Sequence, residues 1–182
     1  MTVTKRFIIE CYVCGTEYFG EKVLLEDRGK SIPTPYVKRV MCPTCKAPYR
    51  PKKDFFLLVE DTVQDLVGDK NGAIQKILDC CQSESDFEKC EKQMLNEIKR
   101  FPKLINSFER IIKDRKVTGR DVEDPDLTKF FELKLSKLKQ IKEFSNEEIE
   151  EKIREVVKEA KELLLQTRNK YKQNLKENDL KN

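Results

Sequence analysis

The chain of 182 residues carries 37 Lys/Arg against 33 Asp/Glu and no histidine, a composition that excludes imidazole both as catalytic base and as metal ligand. Apolar and charged residues each make up 38%, which is too apolar for a disordered tail and fits a Lys/Glu-rich helical protein. No run approaches the roughly 20 apolar residues of a membrane span, and the length suits a small module joined to a helical part.

The first elements in chain order are two short β-prone runs, KRFIIE (5–10) and EKVLLED (21–27). A third run, YVKRVM (36–41), alternates apolar and basic residues, and the intervening DRGKSIPTP (27–35) has the Gly and Pro punctuation of an exposed loop. Cys11 and Cys14 follow the first run, and Cys42 and Cys45 follow the third. The pattern predicts two hairpin-like arms carrying two cysteine turns.

MTVTKRFIIECYVC lacks the apolar core and small-residue cleavage site of a signal peptide, so a cytoplasmic protein is expected. In that reducing setting paired C-x2-C motifs read as a metal site rather than as disulfides. Four thiolates in a tetrahedron suit one Zn²⁺ ion, or a single iron, and a spacing of two lets one turn aim both sulfurs at the ion. A closed shell of four leaves no position for water, so the metal is expected to be structural. Cys80, Cys81 and Cys90 fall in helical pattern and read as small buried side chains.

Helices are predicted from Asp54 onward. DFFLLVEDTVQDLV places Phe56, Val59, Val63 and Leu66 on one face, with Asp54 as N-cap and Gly68 at the end. GAIQKILDCCQ gives a short helix, and SDFEKCEKQMLNEIKRF a longer one with Ser85 as cap and Glu88 closing a capping box. Pro102 separates that helix from KLINSFERIIKDRK, and Asp124 with Pro125 starts the next. SNEE (145–148) opens the last helix, which is expected to run to about residue 176. In it Ile149, Ile153, Val156, Ala160 and Leu163 form a short a/d seam, read as one arm of an antiparallel hairpin on Leu127, Phe131, Leu135 and Leu138. Its end, QTRNKYKQNLKENDLKN, has few apolar residues besides Tyr171 and Leu175 and is expected to order only against a partner.

The expected fold class is α+β: a small N-terminal β zinc ribbon (1–53), a helical bundle (54–118), an antiparallel helical hairpin (119–176) and a flexible tail (177–182). Charge is unevenly spread along it. Residues 1–53 hold eleven Lys/Arg against five Asp/Glu, whereas residues 54–82 hold two against six. A basic segment of this kind is the footprint of a surface that meets phosphate or an acidic partner.

CYVCGTEY, with Cys11, Cys14, Gly15 and Tyr18, and CPTCKA, with Cys42, Pro43, Cys45 and Ala47, resemble the knuckles of the zinc-ribbon and rubredoxin-like fold over about the first 50 residues. The resemblance implies a tetrathiolate shell. In rubredoxins such a shell holds iron for electron transfer; in zinc ribbons of the transcription, translation and nucleic-acid-processing machinery it holds shape. This chain has no tryptophan, has Lys46 where the second knuckle usually has glycine, and is basic where those electron carriers are acidic, all of which favour zinc.

No Gly-rich phosphate loop and no histidine-assisted nucleophile is present, so a non-enzymatic protein is expected. The first functional reading is nucleic-acid binding through Lys38, Arg39, Lys46, Arg50, Lys52 and Lys53, with Tyr36 and Tyr49 placed to stack on bases. The second is a regulatory adaptor docking on a large machine such as RNA polymerase or the ribosome by protein contacts. The third is rubredoxin-like electron transfer.

Overall fold

The computed structural model describes residues 2–25, 36–37 and 40–179; Lys38, Arg39 and the 27–35 loop lie outside them. The chain is mostly helical with a small antiparallel sheet at its N-terminus. It divides into two compact units, one of residues 1–51 with 163–182 and the other of residues 52–162. No helix among the described residues is long and apolar enough to cross a membrane.

In the first unit, β1 (Thr2–Glu10) pairs antiparallel with β2 (Glu17–Leu25), and the two-residue β3 (Tyr36–Val37) continues the sheet beside β2. The strands begin earlier than the sequence pattern suggests because the ladder extends Thr2 to Leu25. Alternation along β1 separates two faces. Ile9 is buried, whereas Ile8, opposite Phe19, stands exposed with it. Gly20 lies opposite Phe7, and a Cβ there would sit 2.5 Å from Ile9 Cδ1 and 2.9 Å from Phe7 Cζ, so the inner face needs a residue without a side chain.

The second unit begins with a 3-10 turn (Phe55–Leu57) capped by Asp54, whose carboxylate accepts the Phe56 N–H at 3.0 Å. This tight turn alters the register expected from the sequence: Phe55 is buried and Phe56 is exposed. Helix α1 (Val59–Asp65) follows, then α2 (Lys70–Cys80), α3 (Glu84–Ile98), α4 (Phe101–Val117), the single turn α5 (Arg120–Glu123), α6 (Pro125–Lys142) and α7 (Asn146–Asp179).

Caps explain most of these boundaries. The cap of α3 is Ser83, two residues before the expected Ser85. Ser83 Oγ accepts the Asp86 N–H at 3.2 Å while the Asp86 carboxylate accepts the Ser83 N–H at 3.0 Å. Pro102 sits in the first turn of α4, where its missing N–H costs nothing. Asp124 accepts from the Leu127 N–H at the start of α6, and Ser145 and Glu148 close a capping box at the start of α7. Helix α7 continues to Asp179, past the expected end.

The core of the second unit is built from Val63, Ile77, Met94, Leu138, Ile141, Ile149 and Ile153, each at most 2% exposed. Full burial of one such side chain contributes about 1.5–3 kcal/mol. Cys80, Cys81 and Cys90 are buried with them, and burial pushes the Cys80 thiol up to about 11, so it stays protonated.

The charged contacts of α6 and of α7 run to different neighbours. Phe131 meets Phe108 of α4 with ring centroids 5.7 Å apart, and ion pairs Lys116–Glu132 and Lys139–Glu109 join α4 to α6. On its other side Lys134 and Lys137 reach Glu60, Asp61 and Asp65 of the acidic α1. Ion pairs from α7 run to α2 and α3, through Lys70–Glu155, Lys70–Glu159, Arg154–Glu91 and Lys161–Glu84. Its buried positions are Ile149, Ile153, Val156, Val157, Ala160 and Leu164, while Leu163 is 42% exposed. A heptad seam read from one helix does not say which neighbour fills it.

Candidate metal centre

Two turns of nearly identical geometry carry the four cysteines. In the first, the Gly15 N–H donates to Cys11 O at 2.8 Å and the Cys11 N–H to Thr16 O at 2.9 Å. In the second, the Lys46 N–H donates to Cys42 O at 3.0 Å and the Cys42 N–H to Ala47 O at 2.8 Å. Each turn needs one residue with a left-handed backbone, and these are Gly15 at φ 73° and Lys46 at φ 62°. The hydroxyls of Thr16 and Thr44 link the turns at 3.0 Å.

The two turns bring Cys11, Cys14, Cys42 and Cys45 together, with all four sulfurs within 4.8 Å of one another. Cys11 Sγ lies 3.5 Å from Cys45 Sγ, and Cys14 Sγ lies 3.6 Å from Cys42 Sγ. A tetrahedron of metal–sulfur bonds near 2.3 Å has edges of roughly 3.8 Å, so the cluster is close to the size of a tetrathiolate shell. Backbone N–H groups complete the surroundings: Val13 and Cys14 point theirs at the Cys11 sulfur, Thr16 at Cys14, and Ala47 at Cys45. They stabilise negative charge on sulfur without adding ligands.

The electrostatics show what such packing demands. Burial, with neighbouring thiols, pushes Cys45 up to about 12. Burial acts the same way on Cys14, but the hydroxyl and amide of Thr16, with Cys42 and Cys11, bring it down to about 6. One thiolate is accommodated at Cys14, whereas burial holds Cys11 and Cys45 in the thiol form; a bound cation offsets that burial cost and favours the thiolates. Cys42 and Cys45 are 0% and 1% exposed, and Cys11 is buried with them, while Cys14 stands half-buried at the edge of the cluster.

A third wall comes from the other end of the chain. Tyr171 and Leu175 of α7 pack against Cys11, Val13, Cys42, Cys45 and Ala47, together with Tyr12 and Tyr18. Arg168 Nε–H donates to the carbonyl of Tyr12, within the first turn, at 2.8 Å. The helix end that was expected to order only against a partner is thus packed on its own chain. The signal in the sequence was the pair Tyr171 and Leu175, isolated apolar residues four apart in a polar stretch.

The described members of the expected contact set fall in both units. Tyr49 donates its N–H to Val40 O at 2.7 Å and sets its ring edge-on to Phe7, with centroids 5.8 Å apart. Arg50 is half-buried, and the exposed Lys46 folds its ammonium back onto Pro43 O at 2.8 Å. Tyr36 lies in β3. Lys52 and Lys53 belong to the second unit, where they pair with Asp86 and with Asp79 respectively. Compared with protein-family models, curated proteins and solved structures, the chain matches none, and its class is defined by the site alone: a four-cysteine cluster of metal-binding size, consistent with a zinc-ribbon-like centre.

Proposed function

We propose that the chain is a non-enzymatic zinc-ribbon protein whose metal-pinned unit binds nucleic acid. The observation that carries the reading is the coincidence of the tetrathiolate cluster with the basic unit. Residues 1–51 and 163–182 together hold fourteen Lys/Arg against seven Asp/Glu, whereas residues 52–162 carry an acidic excess. Zinc fits a closed four-sulfur shell with no position for substrate, and its task there is to hold shape. Lys38, Arg39, Lys46 and Arg50, with Tyr36 and Tyr49, are the residues assigned to phosphate and base contact; Lys52 and Lys53, neutralised by Asp86 and Asp79, are secondary.

The test is the salt dependence of DNA and RNA binding. With about four phosphates neutralised, affinity for a single strand falls roughly fifty-fold between 50 and 200 mM salt. Lys38→Glu with Arg39→Glu removes most of it. Binding that is flat with salt, or unchanged in that double variant, rules the reading out.

A second reading, an adaptor that docks on a protein of a nucleic-acid-processing machine, has its own support. Ile8 and Phe19 sit opposite each other on the sheet, 66% and 69% exposed, and form an apolar pair that phosphate does not explain. Association that survives nuclease treatment and is lost in Ile8→Ser with Phe19→Ser selects this reading. Metal analysis separates both from electron transfer, because an iron tetrathiolate is red and zinc is colourless.

A further inference from the structure

We infer that Arg168, Tyr171 and Leu175 are positioning residues of the metal centre, so that metal binding and the order of the C-terminal half of α7 are one linked equilibrium. The inference rests on the metal reading above and adds residues that no cysteine spacing reveals.

Three observations converge on it. The first is packing: Tyr171 and Leu175, one helical turn apart, lie against the cluster formed by Cys11, Val13, Cys42, Cys45 and Ala47. The second is a directed hydrogen bond. Arg168 Nε–H holds the Tyr12 carbonyl at 2.8 Å, and Tyr12 is a residue between the two ligands of the first turn. Fixing that peptide fixes the neighbouring Val13 and Cys14 amides that face the Cys11 sulfur. The third is the helix itself. QTRNKYKQNLKEND offers Asn169 and Asn174, poor helix formers, and no apolar stripe beyond the two packed residues. A polar helical segment of this length is marginal in water without tertiary packing. The knuckles supply that packing, and the knuckles in turn bring four sulfurs within 4.8 Å of one another, a cluster that an ion ties together.

The linkage runs both ways. Whatever loosens the sulfur shell removes the surface on which Tyr171 and Leu175 lie, and whatever removes those side chains or Arg168 loosens the first turn. Residues that support ligands in this manner typically govern metal affinity by about 10–100-fold.

The experiment uses the full chain and zinc as the probe. Zinc affinity is measured by competition with a chromophoric chelator for wild type, Arg168→Ala, Arg168→Lys and Tyr171→Ala with Leu175→Ala. Hydrogen exchange is followed in parallel with and without zinc, with α2 and α3 as an internal control for folding. The expected result is a loss of ten-fold or more in zinc affinity for Arg168→Ala and for the double variant, and a smaller loss for Arg168→Lys, which retains a donor. Chelation of wild type is expected to deprotect residues 163–179 together with residues 11–15, while α2 and α3 keep their protection. Variants that bind zinc as tightly as wild type, or a chelated wild type in which 163–179 stays protected while the cysteine turns open, overturn the inference and leave the metal site standing. A wild type that takes up no metal overturns both.

Discussion

Gly15 and Lys46 occupy equivalent places in the two cysteine turns, both with a left-handed backbone, yet only one of them is glycine. A side chain in that conformation costs on the order of 1–2 kcal/mol, of which glycine's greater freedom in the unfolded chain returns a part. Lys46→Gly is therefore expected to stabilise the metal-bound protein by about 0.5–1 kcal/mol, even with the contact to Pro43 O lost. Gly15→Ala is expected to destabilise it by about 1 kcal/mol. Denaturant midpoints of the zinc-loaded proteins decide it, and equal midpoints for Lys46→Gly and wild type would sink the argument.

Replacing any one of Cys11, Cys14, Cys42 or Cys45 by serine breaks the shell, whereas Cys80→Ala does not touch it. Metal content measured on the purified protein is expected to fall well below one ion per chain in the first four variants and to stay near one in the last. A Cys80→Ala protein without metal would show that the ligand set has been misread.

Asp86 yields a pH dependence. Burial raises its carboxyl, but Lys52, the Gln82 N–H and Ser83 outweigh that and hold it below the usual carboxylate range. A depressed folded value means that the stability it contributes is present above the unfolded value, near 3.9, and is lost as pH falls through the folded one. Asp86→Asn is expected to cost about 1 kcal/mol at neutral pH, and the deficit is expected to shrink below about pH 4. Chemical denaturation of both proteins from pH 7 to 3 measures it, and a deficit that grows toward acid contradicts the assignment.

Ile153 is fully buried in α7 among the helices of the second unit. Ile153→Ala is expected to cost about 2–5 kcal/mol, and Leu163→Ala, at a position 42% exposed, less than about 1 kcal/mol. Thermal unfolding of the pair tests whether the seam belongs to Val156 and Val157 rather than to Leu163.

The sequence disclosed what depends on near neighbours. The two C-x2-C spacings, the caps at Asp54, Asp124 and Ser145, and the burial of Cys80, Cys81 and Cys90 all follow from short-range geometry. Ser83 and Ser85 both precede an acidic residue at a capping distance, and only the backbone decides between them. Phe55 rather than Phe56 is buried because a 3-10 turn rotates side chains differently from an α-helix. Helical periodicity along α6 identifies a face without naming what covers it. The cations Lys134 and Lys137 on that helix meet Glu60, Asp61 and Asp65 of α1, a match visible only once the helices are placed. The placement of Tyr171 on the cysteine turns had no local signal beyond two apolar residues in a polar helix.

Tyr12 and Arg168 meet across 156 residues. The four cysteines are all made by residue 45, whereas the residues that cover their turns, Arg168, Tyr171 and Leu175, are made more than a hundred residues later. The sulfur shell can therefore close before its cover exists, and a product truncated before Arg168 carries the cysteine turns without it.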